Sequence, residues 1–244
     1  MTKLLAMIPG RIGSTRLKMK NLALLDGKPL MSYAIEAAKA SQVFDRIVVN
    51  ADHPVFERIA AQAGVDFYLR PEALGSASTT SDEVVYDFMV KHPAEIVAWV
   101  NPTSPLQSPG EIRSVVTHFL AEHLDSLITV KEERVHALLN GHPLNFHVEE
   151  PFARTQDLAP IHFAVYSVMM WRTITFMQSF QERGHALLSG KVGYVPVSKL
   201  SAVIVKTPED LLIAEELLRL VRQGLSRAVQ YESCTQDLVK GATA

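Results

Sequence analysis

Short uninterrupted apolar runs alternate along the chain with stretches whose apolar positions recur every three or four residues. Leu4 to Ile8 is continuous and halts at Pro9, the pattern of a strand buried on both faces and central in a sheet. After a polar loop to about Pro29, the spacing of Leu30, Ala34, Ala37 and Ala38 predicts a helix to about Ser41. Ile47 to Val49 predicts a strand, Asp52 and Pro54 are placed to cap and start a helix through about Ala63, and Val65 to Leu69 predicts the next strand. A loop from Arg70 to Thr80 leads into a helix with Thr80 or Ser81 as N-cap and Asp82 and Glu83 in the first turn, where acids complement the dipole. Ile96 to Val100 predicts another buried strand. It runs directly into Asn101-Pro102-Thr103-Ser104-Pro105-Leu106.

Ser108, Pro109 and Glu111 supply an N-cap, an N1 proline and a capping-box acid for a helix whose stripe is Ile112, Val115, Val116, Phe119 and Leu120. Leu127 to Val130 follows as a strand. From 131 to 162 the rhythm fails, with charges, Gly141, Pro143, Pro151 and Pro160 breaking short apolar pieces, so this segment reads as an inserted arm. Phe163 to Trp171, Val192 to Val197 and a short Val203 to Val205 predict strands, with a helix ending near Gly184 between the first two. Thr207, Pro208 and Asp210 start a last helix with Leu211, Ala214, Leu217, Leu218 and Val221 on one face. Strands alternating with amphipathic helices predict an α/β fold with a mostly parallel sheet, as one domain over 1–223 followed by a polar tail at 224–244.

The 244 residues are 48% hydrophobic and 20% charged, enough apolar surface to offset the entropy of ordering a compact fold. Lys and Arg number 24 against 26 Asp and Glu, a net charge of -2, so no general field draws the chain to nucleic acid or to an anionic membrane. No apolar run approaches the roughly 20 residues of a membrane helix. Cys234 is the single cysteine, which leaves no intrachain disulfide framework or Cys-based zinc site and makes the cytoplasm the expected compartment.

In an open parallel sheet ligands collect at the carboxyl ends of strands, which singles out the loops after Ile8 and Val100. The first gathers Arg11, Arg16, Lys18, Lys20 and Lys28 around Gly10 and Gly13, with no acid before Asp26. Glycines let backbone N–H groups approach phosphate oxygens, and Lys or Arg heads neutralise charge developing in phosphoryl transfer. On composition alone a solvated basic loop is the other reading. The loop matches neither the Walker nor the dinucleotide glycine spacing.

The run Ile8-Pro9-Gly10-Arg11-Ile12-Gly13-Ser14-Thr15-Arg16-Leu17-Lys18-Met19-Lys20-Asn21, then Gly27-Lys28-Pro29-Leu30, resembles the nucleotide-binding opening of the acylneuraminate cytidylyltransferases, the CMP-sialic acid synthetases. Arg70-Pro71-Glu72, Pro102-Thr103-Ser104-Pro105-Leu106 and Thr207-Pro208-Glu209-Asp210-Leu211 with Ala214-Glu215 follow the family's blocks in order, so the resemblance covers about 4–218. It implies a Rossmann-like nucleotidyltransferase that joins CTP to a nonulosonic or related 2-keto-3-deoxy sugar acid and releases pyrophosphate, the anomeric hydroxyl attacking the α-phosphorus in line. Gly10, Arg11, Gly13, Ser14, Lys20 and Asn21 would hold the nucleotide, with Arg11 and Lys20 stabilising charge at the reacting phosphate. Thr80 and Ser81 fall in the segment that lines the cytidine pocket. For the sugar acid the resemblance implies Arg154 and Gln156, in Arg154-Thr155-Gln156-Asp157-Leu158, and Asn101, where the family commonly has Gln; Gln107 stands where it commonly has Arg. The 131–162 insertion corresponds to the family's dimerisation arm, implying a homodimer with sites near the interface.

One departure concerns Mg²⁺, the cofactor the resemblance implies. The family places an Asp-x-Asp pair just before the last helix, where this chain reads Ile204-Val205-Lys206, and 198–206 contains no acid. An ammonium cannot ligate a hard cation. Three accounts stand: Lys206 replaces part of the metal's charge; Mg²⁺ is held by phosphates and water with help from another acid such as Asp157; or catalysis is lost while a nucleotide or sugar pocket remains. A different base or acceptor is a further alternative. The nine histidines form no His-Glu-x-x-His, no serine sits in a hydrolase elbow, and Trp99 and Trp171 are expected in the core.

Overall fold

A computed structural model describes residues 2–76 and 78–224. Apart from Gly224, the tail expected at 224–244, with Cys234, lies outside the described residues. The strands are β1 (Thr2–Gly10), β2 (Leu24–Leu25), β3 (Lys28–Pro29), β4 (Arg46–Ala51), β5 (Asp66–Leu69), β6 (Ala94–Val100), β7 (Ser126–Glu133), β8 (Leu138–Leu139), β9 (His142–Pro143), β10 (Ile161–Arg172) and β11 (Val192–Pro196). The helices are α1 (Leu30–Ser41), α2 (Glu57–Ala63), α3 (Ser81–Lys91), α4 (Pro109–Ala121), α5 (Thr173–Arg183) and α6 (Pro208–Arg222).

Seven strands form one sheet in the order β11-β7-β10-β6-β1-β4-β5. β1 lies between β4 and β6 and is parallel to both, as a run apolar on both faces requires. Leu4, Ala6 and Ile8 enter a core with α1, α2 and α4, whereas Leu5 and Met7 enter one with α3 and α5. The chain leaves β1 towards β4 and β5 on one side and later adds β6 on the other. The β1–β6 crevice, at their carboxyl ends, is therefore the switch point at which an open α/β sheet binds ligands. The sheet is mostly parallel, with one exception: β10 runs antiparallel to both β6 and β7.

Other local expectations are corrected. Val203–Val205 forms no strand, because its one sheet-like bond is from Val205 N to the Thr103 carbonyl (2.8 Å). His53, not Asp52, caps the turn before α2, its ring accepting from Val55 N at 3.1 Å. Glu111 does not fold back on its own helix start; it reaches across to accept from Ser198 N (2.5 Å) and from the Ser201 hydroxyl.

The arm between β7 and β10 is more regular than its prolines suggest. Ile161 pairs with Glu133, so the two strands extend into its base, and β8 and β9 form a hairpin around Asn140-Gly141. Both turn residues have φ near the left-handed region, 51° and 82°, as a two-residue hairpin turn demands. The Asn145 side chain ties the arm together through Ala137 N, Val135 O and Ala159 O. No helix among the described residues is long and apolar enough to cross a membrane.

Candidate active site

Two adjoining clefts open at the carboxyl ends of β1 and β6. The first, about 240 Å³, is lined by the loop after β1, the start of α3 and the loop after β6, and includes Gly10, Arg11, Ser14, Asn21, Thr80 and Trp99. The second, about 590 Å³, lies between Arg16, Lys206 and Asp210 on one side and the β10 segment Phe163–Tyr166 on the other. Lys20, Asn101 and Thr103 line both, so they form the wall between them.

The cations are concentrated where the clefts meet. Burial holds the Lys20 ammonium below its ordinary value of 10.5, and Arg16, Arg11 and Lys206 lower it further, with Asp210 the one opposing acid. Burial alone would raise the Asp210 carboxyl, but hydrogen bonds from Lys206 N and Thr207 N (both 2.9 Å) outweigh it and hold the group ionised below the usual range. Among the described residues Arg16, Lys20 and Lys206 have no carboxylate at ion-pair distance. Two lining residues also carry buried polar atoms with no partner in the chain, Asn21 Oδ1 and Trp99 Nε1. The clefts thus offer positive charge and unmet hydrogen bonds to an anionic, polar ligand.

Neighbouring segments fix these groups. Thr80 caps α3 in a reciprocal box, accepting from Glu83 N (3.2 Å) while the Glu83 carboxylate accepts from Thr80 N (2.7 Å), which aims the helix start at the first cleft. The Asn101 amide donates to the Tyr166 carbonyl (3.1 Å) and accepts from Thr103 N and Oγ1 (3.0 and 2.8 Å). Tyr166 sits at a bulge in β10 with φ of 56°, a conformation uncommon for an aromatic residue, and the Asn101 bond helps hold it there.

Of the residues singled out from sequence, Gly10, Arg11, Ser14, Lys20, Asn21, Thr80, Ser81 and Asn101 meet at the first cleft, and Lys206 lines the second. Gly13 lies on a neighbouring hollow with Asp52 and Arg70. Asn101 is committed to its own wall, so its amide positions Tyr166 and Thr103 in this structure. Arg154 and Gln156 line neither cleft; Arg154 is exposed on the arm and paired with Asp157 at 2.8 Å. Lys28 is drawn off to Glu36 (2.8 Å). Trp99, expected in the core, packs against the core on the α3 and α5 side and also lines the first cleft, whereas Trp171 is fully buried and bonds the Leu187 carbonyl. Sequence reasoning did not single out Thr103, Phe163 or Tyr166; only the Pro-Thr-Ser-Pro block could have pointed to Thr103.

For Mg²⁺ the donor set does not fit. Among the described residues no three Asp, Glu, His or Cys converge as a metal site. The one carboxylate on the second cleft is Asp210, whose Oδ2 is engaged by two backbone N–H groups, and Asp157 is on the arm.

A family profile described as cytidylyltransferase matches residues 5–162, from within β1 to the second residue of β10, which takes in the whole lining of the first cleft and Arg16, Lys20, Asn101 and Thr103 of the second. The chain belongs to the cytidylyltransferase family. This cytidylyltransferase-family chain is 38% identical over 116 residues to an N-acylneuraminate cytidylyltransferase of Escherichia coli O18:K1:H7 (strain RS218 / NMEC), covering 47% of this chain and 28% of that protein. It is 26% identical over 202 residues to an N-acylneuraminate cytidylyltransferase of Streptococcus agalactiae serotype V, covering 78% and 49%. The chain therefore spans between about a quarter and a half of the length of these curated relatives. In fold it is similar to the solved structure of a CMP:2-keto-3-deoxy-manno-octonic acid synthetase complexed with CTP, with a TM-score of 0.68 at 16% identity over 90% of this chain and 99% of that one. The Rossmann-like nucleotidyltransferase fold is thereby established.

Proposed function

We propose that the chain transfers a cytidylyl group from CTP to a nonulosonic or related 2-keto-3-deoxy sugar acid, with release of pyrophosphate. The observation that carries this reading is the position of Lys20 on the wall shared by the two clefts, surrounded by Arg11, Arg16 and Lys206. CTP occupies the first cleft, its base towards Thr80, Ser81 and Asn21 and its phosphates towards Gly10, Arg11 and Ser14. The acceptor occupies the second. Its anomeric oxygen attacks the α-phosphorus, the bond from that phosphorus to the oxygen bridging it to the β-phosphate breaks, and pyrophosphate leaves with the bonding electrons. The hydroxyl proton passes to solvent or to the departing pyrophosphate, since the one carboxylate on the second cleft, Asp210, is engaged by the backbone N–H groups of Lys206 and Thr207. Lys20 and Arg11 supply positive charge at the reacting phosphate, the term that dominates phosphoryl transfer. Magnesium would come with the nucleotide, held by phosphate and water.

The arm supports a second copy of the chain as partner. It leaves Leu138, Leu139, Leu144, Val148 and Phe152 exposed, a group of apolar side chains rarely left to water. Arg154 and Gln156 would then serve the acceptor cleft of the second chain. A single cysteine favours a reducing compartment, and the cytoplasm is the compartment we assign to this reaction.

The test is pyrophosphate release from CTP with a panel of sugar acids, with ATP, GTP and UTP in parallel and Arg11→Ala beside the parent. CTP-dependent release that Arg11→Ala depresses supports the reading. CTP binding without turnover on any acid would leave a noncatalytic nucleotide-binding homologue, and preference for another nucleotide would overturn the base.

A further inference from the structure

The segment before α6 is extended, and its residues alternate. Val205 is fully buried against Leu25, Leu30 and Leu218, while its neighbours Ile204 and Lys206 both line the second cleft. The segment is pinned at two points: Val205 N donates to the Thr103 carbonyl (2.8 Å), and Lys206 N donates to the Asp210 carboxylate (2.9 Å). The preceding turn is fixed as well, because the buried Ser104 hydroxyl donates to the Ser201 carbonyl at 2.7 Å. Lys206 is therefore held in register to face the cleft, not left on a free surface loop. Arg16 stands on the same cleft, and neither cation has an acidic partner among the described residues.

Resting on the reading of this cleft as the acceptor site, we propose that Lys206 and Arg16 together bind the acceptor's carboxylate directly, so that the second cleft works without a protein-bound divalent cation. Two features favour the acceptor's carboxylate over the nucleotide as their target. Neither side chain lines the first cleft, whereas Lys20 lines both and is the group at the junction. The acid that could have held a metal here, Asp210, spends an oxygen on fixing Lys206 itself. A guanidinium and an ammonium on one carboxylate supply a fork and a point charge, and the Lys20, Arg16 and Lys206 cluster is relieved when an anion enters.

The experiment is calorimetric binding to the CMP-loaded full chain, using N-acetylneuraminic acid and 3-deoxy-manno-octulosonic acid, each beside its methyl ester, in EDTA and in Mg²⁺. At least one free acid should bind roughly ten- to hundred-fold more tightly than its ester, the scale of a charge-assisted hydrogen bond, and equally well in EDTA. Lys206→Gln and Arg16→Gln should each erase most of that preference while still binding CTP, which shows that they fold. Lys206→Asp should make acid binding depend on Mg²⁺. An acid-over-ester preference that Lys206→Gln leaves unchanged, or acid binding by the parent that requires Mg²⁺, overturns the pair alone. If CTP binds and neither acid does, the cleft itself is misread and the pair falls with it; if CTP does not bind, the proposed function fails first.

Discussion

The Asp52 carboxylate and the Arg70 guanidinium lie 3.8 Å apart in a hollow beside the first loop, with side chains only 5% and 3% exposed. Asp52 also accepts from Ile12 N at 2.9 Å, and Arg70 donates to the Asn50 carbonyl at 2.9 Å. One buried pair thus ties the loop that carries Arg11 to β4 and to the chain after β5.

Removing Asp52 strands a buried guanidinium and frees the loop. Asp52→Ala should lower stability by about 3 kcal/mol, the scale for breaking a buried ion pair, and weaken CTP binding because Ile12 loses its anchor. Glu36→Ala, which breaks the half-exposed pair with Lys28, should cost about 1 kcal/mol or less. Denaturant unfolding and CTP titration of both variants check the contrast; equal losses would remove Asp52 from the scaffold of the loop.

Gly75 approaches the same carboxylate from the other side. A Cβ there would sit 2.8 Å from the Asp52 Cβ and 2.7 Å from its Oδ2, and a Cβ is not the far end of a flexible chain that could swing away. Gly75→Ala should therefore destabilise by about 1–3 kcal/mol, the usual cost of overpacking. A double variant with Asp52→Gly should cost less than the two single losses summed, because the clash with Cβ and carboxylate disappears with the side chain. Additive losses in thermal unfolding would contradict the contact.

Lys20 gives the cleft a pH signature. Burial and then its cationic neighbours lower its value in the folded chain beneath the ordinary 10.5, so between the two values the unfolded chain binds more protons. Stability of the free protein should then rise as pH climbs through the lowered value and stop rising near 10.5. A bound triphosphate stabilises the charged ammonium, so CTP binding in that window should take up protons. Calorimetry in buffers of different ionisation enthalpy measures the uptake, and Lys20→Met should abolish it. Uptake unchanged in that variant would assign the proton elsewhere.

What the sequence revealed and what it hid follow from different physics. The place of β1 was legible because Leu4 to Ile8 has no polar face, and Arg11, Lys20 and Asn21 were legible because they are local in the chain. The reversed direction of β10 was not, since an apolar run carries no sign of the way it points. Nor was the bulge that turns Tyr166 towards the second cleft, because a left-handed tyrosine is imposed by its neighbours and not by its own preference. Asp52 looked like a helix cap because a cap and one half of a buried pair use the same residue type; only the approach of Arg70, 18 positions on, separates them. Arg154 followed a motif whose spatial context, the arm, lies away from both clefts of its own chain.

The arm offers the last test. Val148 and Phe152 are 74% and 77% exposed, although Phe152 stacks on His136 at 3.8 Å between ring centres and Phe146 packs against both. Such an ordered aromatic cluster with one face in water is suited to a second copy of the chain. Paired Val148→Asp and Phe152→Asp should leave thermal stability nearly unchanged at low protein concentration, because neither side chain belongs to the sheet cores. Sedimentation should give twice the chain mass for the parent and the single chain mass for the variant. If Arg154 and Gln156 serve the second chain's acceptor, the variant's KM for the sugar acid should rise while CTP binding stays as in the parent. A parent that sediments as a monomer at micromolar concentration would return the arm to its own chain and leave Arg154 without a role in the site.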